Sequence, residues 1–183
     1  MKTPPRIWFT LALVALGKAH SSGHGTPADE YQLKAVFLYN FAQFIEWPES
    51  AFATADSPLV IGVLGESPIG SNLEITVRGE KLRKRPLVVE HYRRVDEIRN
   101  CHILFVSPSA GPNSKQILMA VQGRPVLTVG DTEGFSQGGG MIRFLTEARR
   151  IHFQVNVEAT RAARLVISSK LLRQAEIVGK TGE

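Results

Sequence analysis

The sequence predicts a single α/β domain, a mostly parallel sheet flanked by helices, with a C-terminal edge hairpin and a helical tail. Up to Gly130, short β-rich apolar runs alternate with helical segments, which is the order that covers a parallel sheet with helices. After Gly130 two strand-like runs follow each other, and helical spacing then returns. A chain of 183 residues is long enough for one domain with its own core.

Residues 1–19 are predicted to be a secretory signal peptide. Lys2 and Arg6 give a basic start, Ile7 to Leu16 is apolar but for one threonine, and residues 17–19 supply the small residues that a signal peptidase recognises. The apolar run is too short to span a bilayer. A buried N-terminal helix fits this pattern less well. We therefore expect cleavage after Ala19 and an exported protein, with a polar lead-in over residues 20–26 and the folded domain over residues 27–180.

Removing residues 1–19 changes the charge of the chain. This segment holds three of the 22 lysines and arginines and none of the 17 acidic residues, so the mature chain keeps 19 basic against 17 acidic residues, a net charge of +2. This small charge gives no support for a nucleic-acid partner. Cys101 is the only cysteine, which excludes an internal disulfide. Its place before an apolar run favours a small buried side chain over a nucleophile.

The first predicted element is a helix from Pro27 to about Ile45, capped by Thr26 and ended by Trp47-Pro48. Its apolar residues recur at helical spacing over a wide stripe, so we expect burial on more than one side. The stripe consists of Tyr31, Ala35, Phe37, Leu38, Phe41, Phe44 and Ile45.

Four strands are predicted in the parallel sheet, and the helices that connect them follow from capping and spacing. The strands are Leu59–Leu64, Pro86–Val89, His102–Ser107 and Pro125–Gly130. The connections are a helix over 67–77 with a basic turn at 78–85, a short helix at 95–100, and a helix that Asn113 or Ser114 caps and Gly123 closes.

The C-terminal third is predicted to be a hairpin followed by two helices. Met141–Leu145 and Ile151–Val155 form the hairpin at the edge of the sheet. Residues 158–165 form one helix, and residues 168–178 form the second, with Ser168 or Ser169 as its N-cap.

The stretch from Gly130 to Phe144, GDTEGFSQGGGMIRF, raises the question of a phosphate site. Phosphate-binding glycine loops join a strand to the N-terminus of a helix, whereas Gly138–Gly140 leads into a strand. The spacing also fails the dinucleotide fingerprint. We therefore expect the glycines to allow positive φ and close backbone approach. Because the loop leaves the carboxyl end of a parallel strand, it could still close over a small molecule or a partner segment.

No other motif points to catalysis. The histidines lack metal-ligand spacing, and no Ser/His/Asp set stands in a recognisable order. Asp131 and Glu133 are more typical of turn formers than of cation ligands. The basic patch at 78–85 is typical of a solvated turn, with an acidic partner or lipid head groups as its functional alternative. We expect no catalytic residue, metal or cofactor.

Three segments of the mature chain resemble the YfiR-like family. Tyr31–Pro48 is similar to its opening helix, and residues 123–144 together with 151–178 are similar to its C-terminal half. The helix ending in Trp-Pro, the Gly-Phe before the glycine run and the Ser-Ser-Lys-Leu-Leu tail carry the resemblance.

The resemblance implies a periplasmic α/β protein without enzymatic activity. It implies repression of an inner-membrane diguanylate cyclase through binding to its periplasmic sensor domain, relief by an outer-membrane lipoprotein, and control of cyclic-di-GMP and biofilm formation. Redox control through internal disulfides does not carry over, because Cys101 stands alone. Another membrane receptor as partner and a homodimer stay open. The alternative function is a periplasmic small-molecule-binding protein associated with a receptor or transporter, which would need a dimer or loop closure to complete its cleft.

The resemblance also suggests a partner or ligand surface in the C-terminal region. The matching positions are Gly134, Phe135, Glu158, Arg161, Ser169 and Lys170. Two structural alternatives stand beside it: Glu158 and Arg161 can pair along one helix, and Ser169 can serve only as a helix cap.

Overall fold

The computed structural model describes residues 27–148 and 150–179. The predicted signal peptide, the lead-in and the Thr26 cap lie outside these residues, so the predicted domain limits stay predictions. Within the described ranges, no helix combines the length and the apolar character needed to cross a bilayer.

An eight-stranded sheet forms the centre of the domain, and the predicted α/β class is confirmed. Its strands lie in the order β10-β8-β7-β6-β5-β2-β4-β3 and are parallel except for the pairs β7–β8 and β3–β4. A separate antiparallel pair joins β1 to β9. The strands are β1 Ile45–Glu46, β2 Leu59–Leu64, β3 Lys81–Leu82, β4 Arg85–Tyr92, β5 Ile103–Val106, β6 Leu127–Gly130, β7 Ile142–Glu147, β8 Arg150–Asn156, β9 Val166–Ile167 and β10 Glu176–Val178.

Helices cover both faces of the sheet. Helices α1 and α2 bury their apolar residues with one face, and α3 buries Ile117 and Val121 with the other. Alternate residues of β2 and β5 enter the two cores, because side chains of a strand point to opposite faces. The helices are α1 Pro27–Phe44, α2 Ile69–Val77, α3 Ser114–Val121, α4 Val157–Ala162 and α5 Ser169–Leu172.

Helix α1 is the main cover of the first face, as its apolar stripe predicts. Leu38 and Phe41 are fully buried. The Phe41 ring stacks on Phe144 at 5.7 Å between centroids and meets Phe153 edge-on at 5.2 Å, a geometry that adds to the stability gained from burial. The helix ends at Phe44, within one residue of the predicted end, and the chain then enters β1.

Several expectations for local structure are wrong. The segment 168–178 is not one helix: α5 stops at Leu172, and Glu176–Val178 forms β10, which pairs in parallel with β8. The β7–β8 hairpin therefore lies inside the sheet rather than at its edge, because β10 takes up the backbone groups that β8 would leave unpaired. The basic turn contains β3, and positive φ angles at Arg83 and Lys84 fold it back onto β4.

The predicted short helix at 95–100 is a single 3₁₀ turn, Val95–Glu97. Strand β4 also runs three residues beyond the predicted Val89, to Tyr92.

His102 is a buried polar residue next to the amino end of β5. It is 4% exposed and stacks on Phe52 with ring centroids 4.5 Å apart. Its Nδ1 accepts a hydrogen bond from the Val60 amide at 3.1 Å, so the proton is on Nε2, which donates to the Ala51 carbonyl at 3.1 Å. Burial lowers the pKa of His102, the nearby Arg85 lowers it further, and the bond to Ala51 opposes both.

We expect His102 to make the stability of the fold depend on pH. The pKa of His102 is lower in the folded chain than in the unfolded chain, where it is about 6.5. The contribution of His102 to the free energy of unfolding is therefore complete above pH 6.5 and falls as the pH drops below 6.5. Urea unfolding from pH 5 to 8 should show this loss in the wild type, with a slope of at most about 1.4 kcal/mol per pH unit, and a smaller loss in His102→Asn. The exposed His152 gives the control: if His152→Asn flattens the profile as much as His102→Asn, His102 is not the group responsible.

Candidate functional site

The glycine loop, residues 130–140, is held in place by the ring of Phe135. Phe135 is only 2% exposed. A Cβ on Gly130 would lie 2.9 Å from its ring and a Cβ on Gly140 only 2.2 Å from it, so both positions need the bare backbone. Gly134 and Gly139 adopt φ angles of +74° and +101°. Close approach and positive φ thus explain the glycines, as the sequence predicts.

The loop joins two parallel strands without a helix. Parallel neighbours normally need a long crossover, but β6 and β7 overlap by only two residue pairs, Val129 with Ile142 and Gly130 with Arg143. The chain therefore need not travel back along the sheet. Within the loop, the amides of Gly138 and Gly140 donate to the carbonyls of Gly134 and Phe135 at 2.8 and 2.9 Å.

A buried ion pair fixes the start of the glycine loop to helix α1. Lys34 Nζ lies 2.7 Å from Asp131 Oδ2, and the two side chains are only 4% and 8% exposed. Nζ also lies 2.7 Å from Glu30 Oε1, and Glu30 accepts a hydrogen bond from Thr146 on β7 at 2.9 Å. These contacts connect α1 to the carboxyl ends of β6 and β7.

The Lys34 network keeps its charges. Burial acts to lower the pKa of Lys34, but hydrogen bonds to Asp131 and Glu30 outweigh it and raise the pKa. The hydrogen bond from Lys34 lowers the pKa of Glu30, against the effect of burial. The Lys34 side chain therefore stays cationic in the interior, where an unpaired charge would be costly.

Polar atoms without a partner within the described residues accompany this loop. Arg143 on β7 lies opposite Gly130 of β6 on one side and opposite Gln154 of β8 on the other. Polar residues therefore continue from the glycine loop across β7 to β8. Buried polar groups are normally hydrogen-bonded, and because these atoms have almost no accessible surface, buried water is the partner that can reach them. The atoms are Asp131 Oδ1, Thr132 Oγ1, Ser136 Oγ, Arg143 Nε and Gln154 Oε1.

The residues suggested for a partner or ligand surface occupy three elements. Gly134 is exposed on the glycine loop, but Phe135 beside it is in the core. Glu158 and Arg161 are exposed on α4, whose N-cap Asn156 donates to the Ser136 carbonyl at 3.0 Å and so ties α4 to the loop.

Helix α5 carries the other two suggested residues. Ser169 and Lys170 are exposed on it. The helix cap is Ser168, which accepts from the Lys170 amide at 3.3 Å, so Ser169 does not have that role.

An apolar groove that the sequence analysis did not predict lies between α3, the glycine loop and α4. It has a volume of about 310 Å³ and a mostly apolar lining. Met119 stands at its rim with 65% of its surface exposed, which is high for a methionine. The lining includes Leu118, Met119, Gly138, Gly139, Ala159 and Ala162. The i, i+3 spacing of the two alanines on α4 was the available signal, but only the fold brings the helices together.

Neither Cys101 nor a metal cluster offers catalytic chemistry in the described part of the chain. Cys101 is 5% exposed, and burial raises the pKa of its thiol to about 12, so it is protonated at neutral pH and unreactive. Residues 27–148 and 150–179 bring no three His, Cys, Asp or Glu side chains close enough to hold a metal ion.

The Lys34–Asp131 pair should be costly to break from one side. We expect Lys34→Met to destabilise the fold by about 3–5 kcal/mol, because it leaves the Asp131 carboxylate buried without its partner. Adding Asp131→Asn removes that charge and should restore part of the loss, which urea unfolding of the double-mutant cycle measures. Arg83→Met breaks the exposed pair with Glu46 and should cost under about 1 kcal/mol. Equal losses in Lys34→Met and Arg83→Met would contradict this.

The glycine run offers a second test, with a control inside it. Gly140→Ala should lower the free energy of unfolding by about 1–3 kcal/mol, because the new methyl group would enter the ring of Phe135. Gly138→Ala should cost less, since its Cβ would come no closer than 3.3 Å to a neighbouring atom. Denaturant unfolding of both variants measures the two losses. A Gly138→Ala protein as unstable as Gly140→Ala would show that the Phe135 ring is not the reason why position 140 needs glycine.

Comparison with known proteins places the chain in a family. A model of the YfiR/HmsC-like family matches residues 31–176, well over half of the chain. No curated protein sequence matches the chain. The family consists of periplasmic, non-catalytic regulators that act with a membrane diguanylate cyclase. The extent of the match shows that this chain belongs to the YfiR/HmsC-like family.

Proposed function

We propose that this protein is a periplasmic signalling regulator that binds, and thereby represses, the periplasmic sensor domain of an inner-membrane diguanylate cyclase. The single observation that carries the proposal is the family match over residues 31–176. Under this proposal the protein converts no substrate, and its effect on cyclic-di-GMP and biofilm formation follows from occupancy of the cyclase. Sequestration by an outer-membrane lipoprotein would release the cyclase.

The groove between α3, the glycine loop and α4 is the contact surface that we propose for the cyclase. Met119 at its rim supplies an exposed apolar anchor, and Glu158 and Arg161 supply charges on the adjoining helix α4. An apolar centre with a charged rim is the usual composition of a protein interface. Gly134 extends the surface along the loop, with Phe135 supporting it from below. Ser169 and Lys170 on α5 are proposed as peripheral contacts.

Binding to the cyclase domain should depend on Met119. We expect Met119→Lys to weaken the complex with the purified periplasmic domain of a membrane diguanylate cyclase from the same organism by about tenfold or more, because it places a charge in an apolar contact. Ile75→Lys is the matched control: Ile75 is 67% exposed, but on α2, which covers the opposite face of the sheet. Biolayer interferometry measures both affinities.

The same variants test the function in the cell. Deleting the gene should raise cyclic-di-GMP, and Ile75→Lys should restore the low level whereas Met119→Lys should not. A deletion that leaves cyclic-di-GMP unchanged would overturn the proposed function. Restoration by Met119→Lys equal to that by Ile75→Lys would overturn the proposed surface.

A further inference from the structure

We propose that a cleft at the carboxyl ends of β2 and β5 binds a small organic anion, an oxyanion head group on an apolar body. The cleft has a volume of about 750 Å³ and lies between the loops that follow β2, β4 and β5 and helix α3. None of the residues suggested for the partner surface lines it. The inference does not depend on binding to a cyclase.

The cleft lies where the order of the sheet reverses. Strands β2 and β5 are parallel neighbours, and β4 and β6 lie on their outer sides. The chain leaves β2 into α2 on one face of the sheet and leaves β5 into α3 on the other. Two connections that diverge in this way open a crevice between the carboxyl ends of the strands, the place where open α/β sheets bind ligands.

The rim of the cleft is already fixed by contacts between the two loops. Ser109 Oγ accepts from the Glu66 amide at 2.9 Å and lies 2.7 Å from Ser107 Oγ. Gly65 has φ +85°, and a Cβ there would lie 2.4 Å from Ser107 Oγ, so only glycine permits this approach. A ligand would thus meet a preformed site and would not have to order the loops.

Three arginines give the cleft a positive charge. Arg93, Arg94 and Arg124 line it, against Asp96 as the one acidic lining residue. Asp96 pairs with Arg94, and within the described residues the guanidinium of Arg93 has no ion-pair partner.

The guanidinium of Arg124 is fixed in place by hydrogen bonds. It donates to the carbonyls of Ile98, at 3.0 Å, and Arg99. Because a guanidinium carries five N–H donors, the fixed Arg124 still has donors for an oxyanion. Arg93 and Arg124 are therefore the groups that we assign to the head group.

Four apolar side chains belong to the lining, and we call them the apolar floor; they select the rest of the ligand. They are Leu64, Val95, Ile98 and Ile117. A cavity of this size is in the range of small-molecule sites, in which a few polar groups orient the ligand against apolar lining residues. In this cleft the polar part of the lining is the larger one. An inorganic ion would leave this floor uncovered. The arrangement therefore favours a carboxylate or phosphate ester with an apolar body.

Titrations followed by amide NMR test the proposal with four probes: benzoate, phenyl phosphate, benzamide and inorganic phosphate. We expect benzoate and phenyl phosphate to shift the amides of Gly65, Ser109 and Ile117, and the neutral benzamide and inorganic phosphate to bind at least several-fold more weakly. Arg93→Gln should weaken binding of the two organic anions by about tenfold, the loss expected for one charge-assisted contact. Arg78→Gln, which removes an exposed arginine outside the cleft, is the matched control and should bind as the wild type does.

Each part of the proposal can fail separately. Absence of shifts at these amides with either organic anion would overturn the site. Binding of benzamide equal to that of benzoate would overturn the role of charge, and inorganic phosphate equal to phenyl phosphate would overturn the role of the apolar floor. An Arg93→Gln protein that binds as tightly as Arg78→Gln would overturn the assignment of Arg93.

Discussion

The ion pair between Lys34 and Asp131 sets the position of helix α1 on the sheet. Both side chains are almost fully buried, and each would be a costly isolated charge if the helix were shifted along the sheet or rotated. The contact from Lys34 through Glu30 to Thr146 extends this constraint to β7. A shift of α1 along the core would separate this buried pair, so the pair favours one position of the helix. The glycine loop begins at Asp131, so its starting point is fixed by the same contact.

From Asp131 the chain folds over Phe135 into the glycine loop, which lines the groove that we propose as the partner surface. The ring occupies the space left by two glycines, which holds the loop against the second core beside α3. The groove with Met119 and the arginine-lined cleft share helix α3, which packs on that core. A regulator that acts by binding benefits from such fixed surfaces, because little conformational entropy is lost when the partner arrives.

Local patterns were sufficient to predict much of this fold. The α1 stripe, the fully buried β2 and the strand after the glycine run depend on spacing and β-rich composition, and those predictions hold. Strand β10 was missed because its three residues, Glu176–Val178, are a strand only through pairing with β8, a contact distant in sequence. Long-range packing also decides the burial of Phe135, which the resemblance had suggested as part of a partner or ligand surface. No sequence pattern indicates that Lys34, in the middle of a helix, forms an ion pair with Asp131.

The buried pair and the Phe135 ring make the glycine loop a rigid part of the core. Amide hydrogen exchange of Gly138 and Gly140, compared between the wild type and Lys34→Met, tests this most directly. We expect both amides, which donate to Gly134 and Phe135, to exchange in the wild type about as slowly as those of β6 and much faster in the variant. Fast exchange of both amides in the wild-type protein, as in an open surface turn, would contradict it.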